Sequence, residues 1–270
     1  MDALLLLKAA VMGLVEGATE FLPVSSTGHL IVAADWLGFH SYKNAETFEV
    51  FIQLGAILAV VWLYRAKVFG VLAAAPRDRN ARQLVINLMI AFLPAAVVGF
   101  LARDFIKEVL FNPFTVAVAL VVGGILILVI ERWVAGRAAR TESVDDIRPP
   151  TALGVGIAQL AALVPGVSRS GATIMGGLSL GLSRVAATEF SFFLSIPIMV
   201  AASGYDLWKA RDLMGAADAP VFAVGFIVSF LSAMVVIRAL IKFVSSNTFI
   251  PFAWYRIVFG LLLIGLYWNR

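Results

Sequence analysis

Six apolar runs, each long enough to cross a bilayer and each bounded by short polar segments, fix what this chain can fold into. They fall at 47–65, 84–101, 114–131, 187–208, 221–241 and 252–268. The chain is 61% hydrophobic and 14% charged, with a mean hydropathy of +0.95, which leaves too little polar surface to cover a water-soluble body of 270 residues. The sequence therefore predicts an all-α integral membrane protein. There is no cysteine, which excludes disulfides and thiolate chemistry. The net charge of +4 fits basic cytoplasmic loops and not nucleic-acid binding. Asp2 precedes the first apolar run, and Glu16 and Glu20 stand where a signal-peptide cleavage site would lie, so the first segment is expected to stay.

Two regions break the spanning pattern. Residues 3–39 and 152–182 each hold two short apolar helices joined by a Pro/Ser/Gly turn, which suits a re-entrant hairpin lining a protein cavity. The order of elements then recurs. A shift of 143 brings Glu16 onto Gln159, Ser25 onto Ser168 and Gly28 onto Gly171; a shift of 140 brings Glu49 onto Glu189. A shift of 135 brings Arg103, Ile106 and Lys107 onto Arg238, Ile241 and Lys242. The expected plan is a first repeat over 1–135, a polar connection over 136–150 and a second repeat over 151–270. Each repeat holds one hairpin plus three spans. That count of crossings is odd, so the repeats must have inverted topology, with a site near the midplane where half-helix ends meet. Residues Arg65 to Arg82 read as a basic loop, and Pro94 is expected to kink its span. Lys and Arg number eleven on the side holding the loops after Tyr64, Ile130 and Ile237, against seven on the other, which puts the first side in the cytoplasm. The first hairpin then opens outward and both termini lie outside.

The chemistry sits in the two turns. Glu16 and Glu20, four apart, share a helix face at roughly 5–6 Å between Cβ atoms. Two such anions in a low-dielectric site call for a cation; Mg²⁺ is the natural choice and Ca²⁺ the alternative. After Pro23, Ser25 caps a new helix and leaves amides around Ser26, Thr27 and Gly28 to bind an anion, and Ser168, Arg169, Ser170 and Gly171 repeat the device. Gly28 and Gly171 would admit a ligand close to the backbone. Arg169 suits phosphate, and Thr173 would add a hydrogen bond to it. His29 is read as a proton-transfer group beside the carboxylates, and Gln159 as a residue orienting the second turn. Arg184 and Glu189 read as a structural ion pair, with Glu49 alike by repeat. Arg256 reads as a second anion contact or a partner for Glu49 or Glu189. Gly13 and Gly17 signal close helix packing.

At these residues the chain resembles the undecaprenyl-diphosphate phosphatase family of the bacitracin-resistance type. The signatures are Glu16-x-x-x-Glu20 running into Pro23-Val-Ser-Ser-Thr-Gly-His29, and Pro165-Gly-Val-Ser-Arg-Ser-Gly-Ala-Thr173; both are intact. The resemblance implies a metal-dependent enzyme of the bacterial inner membrane. It would remove the terminal phosphate of undecaprenyl diphosphate on the periplasmic side and recycle the peptidoglycan lipid carrier. Bacitracin sequesters that substrate. A second copy of the chain, as a homodimer, is left open. The expected mechanism has Ser26 attack phosphorus, activated by His29, with Glu20 orienting the imidazole. Arg169, the helix N-termini and a metal on Glu16 and Glu20 neutralise charge. Direct attack by His29 or by metal-bound water is the rival route. A secondary transporter or lipid flippase for an isoprenyl phosphate is the rival function, since inverted repeats suit alternating access equally.

Overall fold

The computed structural model describes residues 2–102, 105–110, 112–211 and 215–267. Arg103, Trp268, Arg270 and the side chain of Lys107, used in the reading above, lie outside the described residues. Among those described, regular structure is helical apart from one bridge between Thr141 and Leu182. The α-helices are α1 (Ala3–Thr19), α2 (Ser26–Leu37), α3 (Ala45–Leu63), α4 (Arg65–Ala74), α5 (Arg79–Leu101), α6 (Pro113–Val134), α7 (Pro149–Ala158), α8 (Arg169–Ser179), α9 (Arg184–Ala210), α10 (Ala219–Val244) and α11 (Ile250–Tyr267). Helices α3, α5, α6, α9, α10 and α11 are long and apolar enough to cross a membrane. Their outer faces are apolar, with Phe100, Leu101 and Val235 exposed to 70%, 78% and 68%, while Glu16, Gln159, Ser170, Thr173 and Arg256 are buried. Polar groups inside and apolar groups outside make this a multi-pass membrane protein.

Capping explains why helices begin earlier than hydropathy alone suggests. Asp78 accepts from the Ala81 amide at 2.6 Å and starts α5 at Arg79, ahead of the apolar run. Asn112 caps α6 with Pro113 in its first turn, and Ser183 caps α9. The starts of the spans read from sequence therefore move earlier by a few residues. Pro94 and Pro197 lie inside continuous helices. The stretch expected as a loop after Tyr64 contains α4. No proline interrupts Arg65–Ala74, Pro76 follows its end, Val68 and Val71 pack on the core, and Phe69 and Leu72 are exposed.

The helices pack by removing side chains where backbones meet. A Cβ on Gly13 would collide with the Gly225 carbonyl, and one on Gly17 with the Ser229 carbonyl, so α1 lies directly on α10. On Gly156 a Cβ would stand 2.5 Å from the Ala91 carbonyl, giving α7 the same approach to α5. Helix α3 packs on both α9 and α10, α9 also on α5, and α11 on α6. The main core runs through Phe21, Ala56, Val60, Ala91, Ile174, Phe190, Phe192, Leu194, Ala233 and Phe249, contributed from both halves of the chain.

Two polar clamps hold connecting segments. At one end Asp218 accepts from Tyr42 (2.7 Å), Asn44 (2.9 Å) and the Gly215 amide (3.0 Å), with Lys43 at 3.7 Å. These donors, the Tyr42 hydroxyl foremost, hold the Asp218 carboxyl below the usual carboxylate range. At the other end buried Glu131 takes two bonds from the Arg184 guanidinium and one from the Phe249 amide at 2.7 Å. Arg184 is thus not paired with Glu189, as the sequence suggested. Glu189 instead accepts from the Tyr64 hydroxyl at 3.2 Å, and no ion pair is seen for Glu49 among the described residues.

Candidate active site

The two turns are built alike. Ser25 (φ 71°) and Ser168 (φ 76°) are the non-glycine residues with positive φ among those described. Such backbone is strained for an L-residue and is held in place by its surroundings. Each strained serine then caps the helix it begins: Ser25 Oγ accepts from the Gly28 amide at 3.5 Å, and Ser168 Oγ from the Gly171 amide at 3.1 Å. The first amides of α2 and α8 are left aimed out of the helix ends.

The turns meet. Arg169, first residue of α8, donates through Nη2 to Glu20 Oε1 at 2.8 Å, across 149 positions of chain. The other oxygen of the same carboxylate, Oε2, accepts from Ser26 Oγ at 2.5 Å. One carboxylate thus joins the arginine of the second turn to the serine of the first. The pair is nearly closed off, with 10% of the Glu20 side chain and 14% of the Arg169 side chain exposed. Arg169 also donates to the Ser191 carbonyl at 3.1 Å and lies over the Phe21 ring. Ser170 Oγ donates to the Leu22 carbonyl at 2.8 Å and clips the second turn to the first. Thr173, expected to face phosphate, lies against the Arg169 and Ser170 carbonyls (2.9 and 3.2 Å) and Ser191 Oγ (2.7 Å), so it braces the start of α8.

Arg256 holds both turns from behind. All five guanidinium N–H groups are spent on carbonyls: Pro23 (3.1 Å), Gly166 (3.0 Å), Val167 (2.8 Å), Ala119 (3.1 Å) and Leu120 (3.3 Å). It has neither a carboxylate partner nor a face left for an anion, which corrects both readings made from sequence. The glycines serve the same construction. A Cβ on Gly171 would stand 3.1 Å from Arg256 Nη1, and one on Gly28 would press on Val116 and Leu120 of α6. Their missing side chains make room for the guanidinium and for α6.

His29 does not complete a Ser26–His29–Glu20 relay. Its Nδ1 lies 2.7 Å from the Ser25 carbonyl, and a carbonyl only accepts, so Nδ1 carries the proton. In the neutral ring Nε2 then accepts from the Tyr255 hydroxyl, 2.6 Å away. The ring stacks on Phe259, centroids 4.5 Å apart. The i−4 bond to Ser25 turns the imidazole toward α11, away from the serine it was expected to activate.

Behind Glu20, Glu16 is fully buried, and neither carboxylate oxygen meets a partner. It lies within electrostatic reach of Glu20, Glu49 and Arg169. Among the described residues no group of three or more His, Asp or Glu side chains is placed to hold a metal by itself. Beside the pair opens a cleft of about 490 Å³. Its apolar walls come from Phe92, Gly99 and Phe100 of α5, Leu163, and Ile198 and Ala201 of α9, and its polar lining is Arg169, Gln159, Tyr205 and Asp206.

A profile of the bacitracin resistance protein BacA family matches residues 9–262. The chain belongs to that family. Among its relatives, the undecaprenyl-diphosphatase of Laribacter hongkongensis is 57% identical over 268 residues, covering 99% of this chain and 97% of the relative. Those of Cellvibrio japonicus and Neisseria gonorrhoeae are each 54% identical, over 265 and 271 residues, covering 98% and 99% of this chain and 96% and 97% of the relatives. Membership covers both turns and every helix lining the cleft. It leaves the roles of Tyr255, Ser191 and Arg256 to the geometry. Tyr255 and Ser191 were not legible as site residues, since Ser191 contributes a carbonyl and a hydroxyl from the middle of an apolar helix; Arg256 was singled out by its charge, but its partners are backbone carbonyls.

Proposed function

We propose that this chain hydrolyses undecaprenyl diphosphate to undecaprenyl phosphate and inorganic phosphate, in the active site formed where the two turns meet. The observation that carries the reading is the Ser26–Glu20–Arg169 chain of contacts, whose arginine lines a mainly apolar cleft. Family membership and relatives named undecaprenyl-diphosphatase support the same substrate. An isoprenyl tail suits the apolar cleft walls, and the diphosphate suits the arginine and the helix ends.

Phosphoryl transfer rests mainly on positioning and on neutralising charge. Arg169 faces the terminal phosphate with its charge, and the first amides of α2 and α8 add oriented dipoles. Ser26 Oγ already donates to Glu20, so the carboxylate takes its proton as the new Oγ–P bond forms. The P–O bond to the bridging oxygen breaks and undecaprenyl phosphate leaves. Water then attacks the phosphoserine; as the Oγ–P bond breaks, protonated Glu20 returns its proton to Ser26 Oγ, and the water's protons leave with inorganic phosphate. His29 fixes the start of α2 through Ser25 and Tyr255, and the proton of Ser26 goes to Glu20.

Glu16 suits a divalent cation: its two oxygens are buried without partners, and carboxylate oxygens are hard ligands. Glu16, with Glu20, would hold the ion, and phosphate oxygens complete such sites. Bound there, Mg²⁺ or Ca²⁺ supplies neutralisation of the diphosphate's negative charge.

The wider plan proposed is two inverted repeats, 1–135 and 151–270, each a re-entrant hairpin with three spans. The paired contacts support it: α1 on α10 matches α7 on α5, and α3 on α10 matches α9 on α5. The similar φ angles of Ser25 and Ser168, 71° and 76°, support it further. The Lys and Arg excess in the loops after Tyr64, Ile130 and Ile237 supports a site facing the periplasm. The test is phosphate release by purified protein from undecaprenyl diphosphate in detergent, with and without chelator. Release that chelator stops agrees with the reading; binding without release contradicts it.

A further inference from the structure

Gln159 and Glu16 occupy matching places in the two halves, 143 residues apart. They also share an uncommon condition. Five side-chain N and O atoms among the described residues are fully buried with no partner, and four of them are the two Glu16 oxygens and Gln159 Oε1 and Nε2. Buried amides in folded proteins are almost always hydrogen-bonded, because an unpaired one forfeits its bonds to water with no return. Gln159 was expected to orient the second turn, yet it bonds to none of it. That turn is braced instead by Ser168, Ser170, Thr173 and Arg256. Gln159 is 2% exposed and lines the same cleft as Arg169, at the start of the 3₁₀ turn 159–163.

We propose that Gln159 is a substrate-binding residue, whose amide Nε2 donates to the phosphate that carries the isoprenyl chain. The proposal rests on the phosphatase reading above and names the contact for the second phosphate. Arg169 lines the cleft and, through Glu20, meets Ser26, where the terminal phosphate reacts. Gln159 shares that cleft with apolar walls, from Phe92 and Phe100 to Leu163 and Ile198, which receive the chain. The phosphate between the arginine and those walls is the lipid-bearing one. A neutral amide suits it, because Oε1 accepts from a bound water while Nε2 donates to a phosphate oxygen. A carboxylate at 159, in addition to Asp206 of the same cleft, would repel the anion that Arg169 attracts. The pair Glu16 and Gln159 thus divides the work: the acidic member serves the cation, and the neutral one serves the substrate.

The experiment compares wild type, Gln159→Leu and Gln159→Glu for phosphate release from undecaprenyl diphosphate, for inhibition by undecaprenyl phosphate, and for thermal stability in detergent. Wild-type hydrolysis is measured first, and its absence would remove the phosphatase reading itself. Given hydrolysis, loss of a hydrogen bond to a charged group predicts a rise in KM of roughly ten- to a hundredfold for Gln159→Leu. The inhibition constant of undecaprenyl phosphate should rise by a similar factor, because the product keeps the phosphate that Gln159 holds. Melting temperature should stay level or rise, since the substitution removes an unpaired buried amide. Gln159→Glu, nearly isosteric, should lose more activity than Gln159→Leu. A fall in melting temperature with KM and inhibition unchanged would make Gln159 structural and overturn the proposal. So would a KM effect without any change in product inhibition. If Gln159→Leu does not fold, the Gln159→Glu comparison decides on the same readouts.

Discussion

Glu20 and Arg169 meet at 2.8 Å although 149 positions separate them in the chain. The contact joins the two turns, and Glu20's other oxygen bonds the proposed nucleophile. Arg169→Ala and Glu20→Gln should each lower kcat by about 10²–10³-fold, as loss of a preorganised charge contact does. Arg169→Lys should recover part of that loss only, because an ammonium replaces the fork that reaches both Glu20 and the Ser191 carbonyl. Phosphate release in detergent reads all three.

Ser26 and His29 separate by their partners. Ser26→Ala should abolish a trappable phosphoenzyme and lower kcat by on the order of 10³-fold. Tyr255→Phe should lower activity by roughly tenfold or less, the worth of one hydrogen bond that steadies an imidazole. Quenched-flow trapping, with phosphate located by peptide mass, checks both. Phosphohistidine at His29 would reverse the assignment.

Arg256 is a test of construction. Arg256→Lys keeps the charge but has three donors for five carbonyls. It should destabilise by about 3 kcal/mol or more, and Arg256→Met by at least as much, each leaving buried carbonyls unpaired. Thermal unfolding in detergent measures it.

How much of this was legible follows from where each partner sits. The turns could be read because Pro, Ser and Gly at fixed spacing inside apolar sequence have few other uses. The caps at Ser25 and Ser168 and the close packing of Gly13 and Gly17 followed from such local rules. Arg256 could not be read, because its partners are backbone carbonyls at 23, 119, 120, 166 and 167, and any residue type supplies those. Arg184 was misassigned to Glu189, close in sequence, when its partner Glu131 arrives from another helix. His29 lies three residues from Ser26, which suggested a relay, but its Nδ1 bond to Ser25 turns the ring the other way. Helix α4 was missed because its basic composition masked the uninterrupted helical stretch before Pro76.

Asp218 gives a pH dependence outside the membrane. Its carboxyl titrates lower in the folded protein than in the unfolded chain, held down first by the Tyr42 hydroxyl. The stability it contributes is therefore present above the unfolded carboxylate value, about 3.9, and is lost as pH falls through the lower folded value. Asp218→Asn should flatten the acid limb of melting temperature against pH, and at neutral pH it should cost about 1–3 kcal/mol. An unchanged acid limb would show that the clamp is not the group titrating there.

Glu16 should set the metal requirement. Glu16→Gln is expected to raise the Mg²⁺ concentration needed for half-maximal activity by at least about tenfold, while Arg169 and Ser26 still face the substrate. A metal titration of wild type and variant reads this shift.

The central claim is that neither turn handles the diphosphate without the other, and phosphate release from undecaprenyl diphosphate by wild type and Arg169→Ala tests it most directly. The wild-type protein should release phosphate, and the variant, whose first turn with Glu20 and Ser26 is intact, should fall by two orders of magnitude or more. Release at the wild-type rate from Arg169→Ala, or transport of the lipid by wild type without any release, would contradict the account.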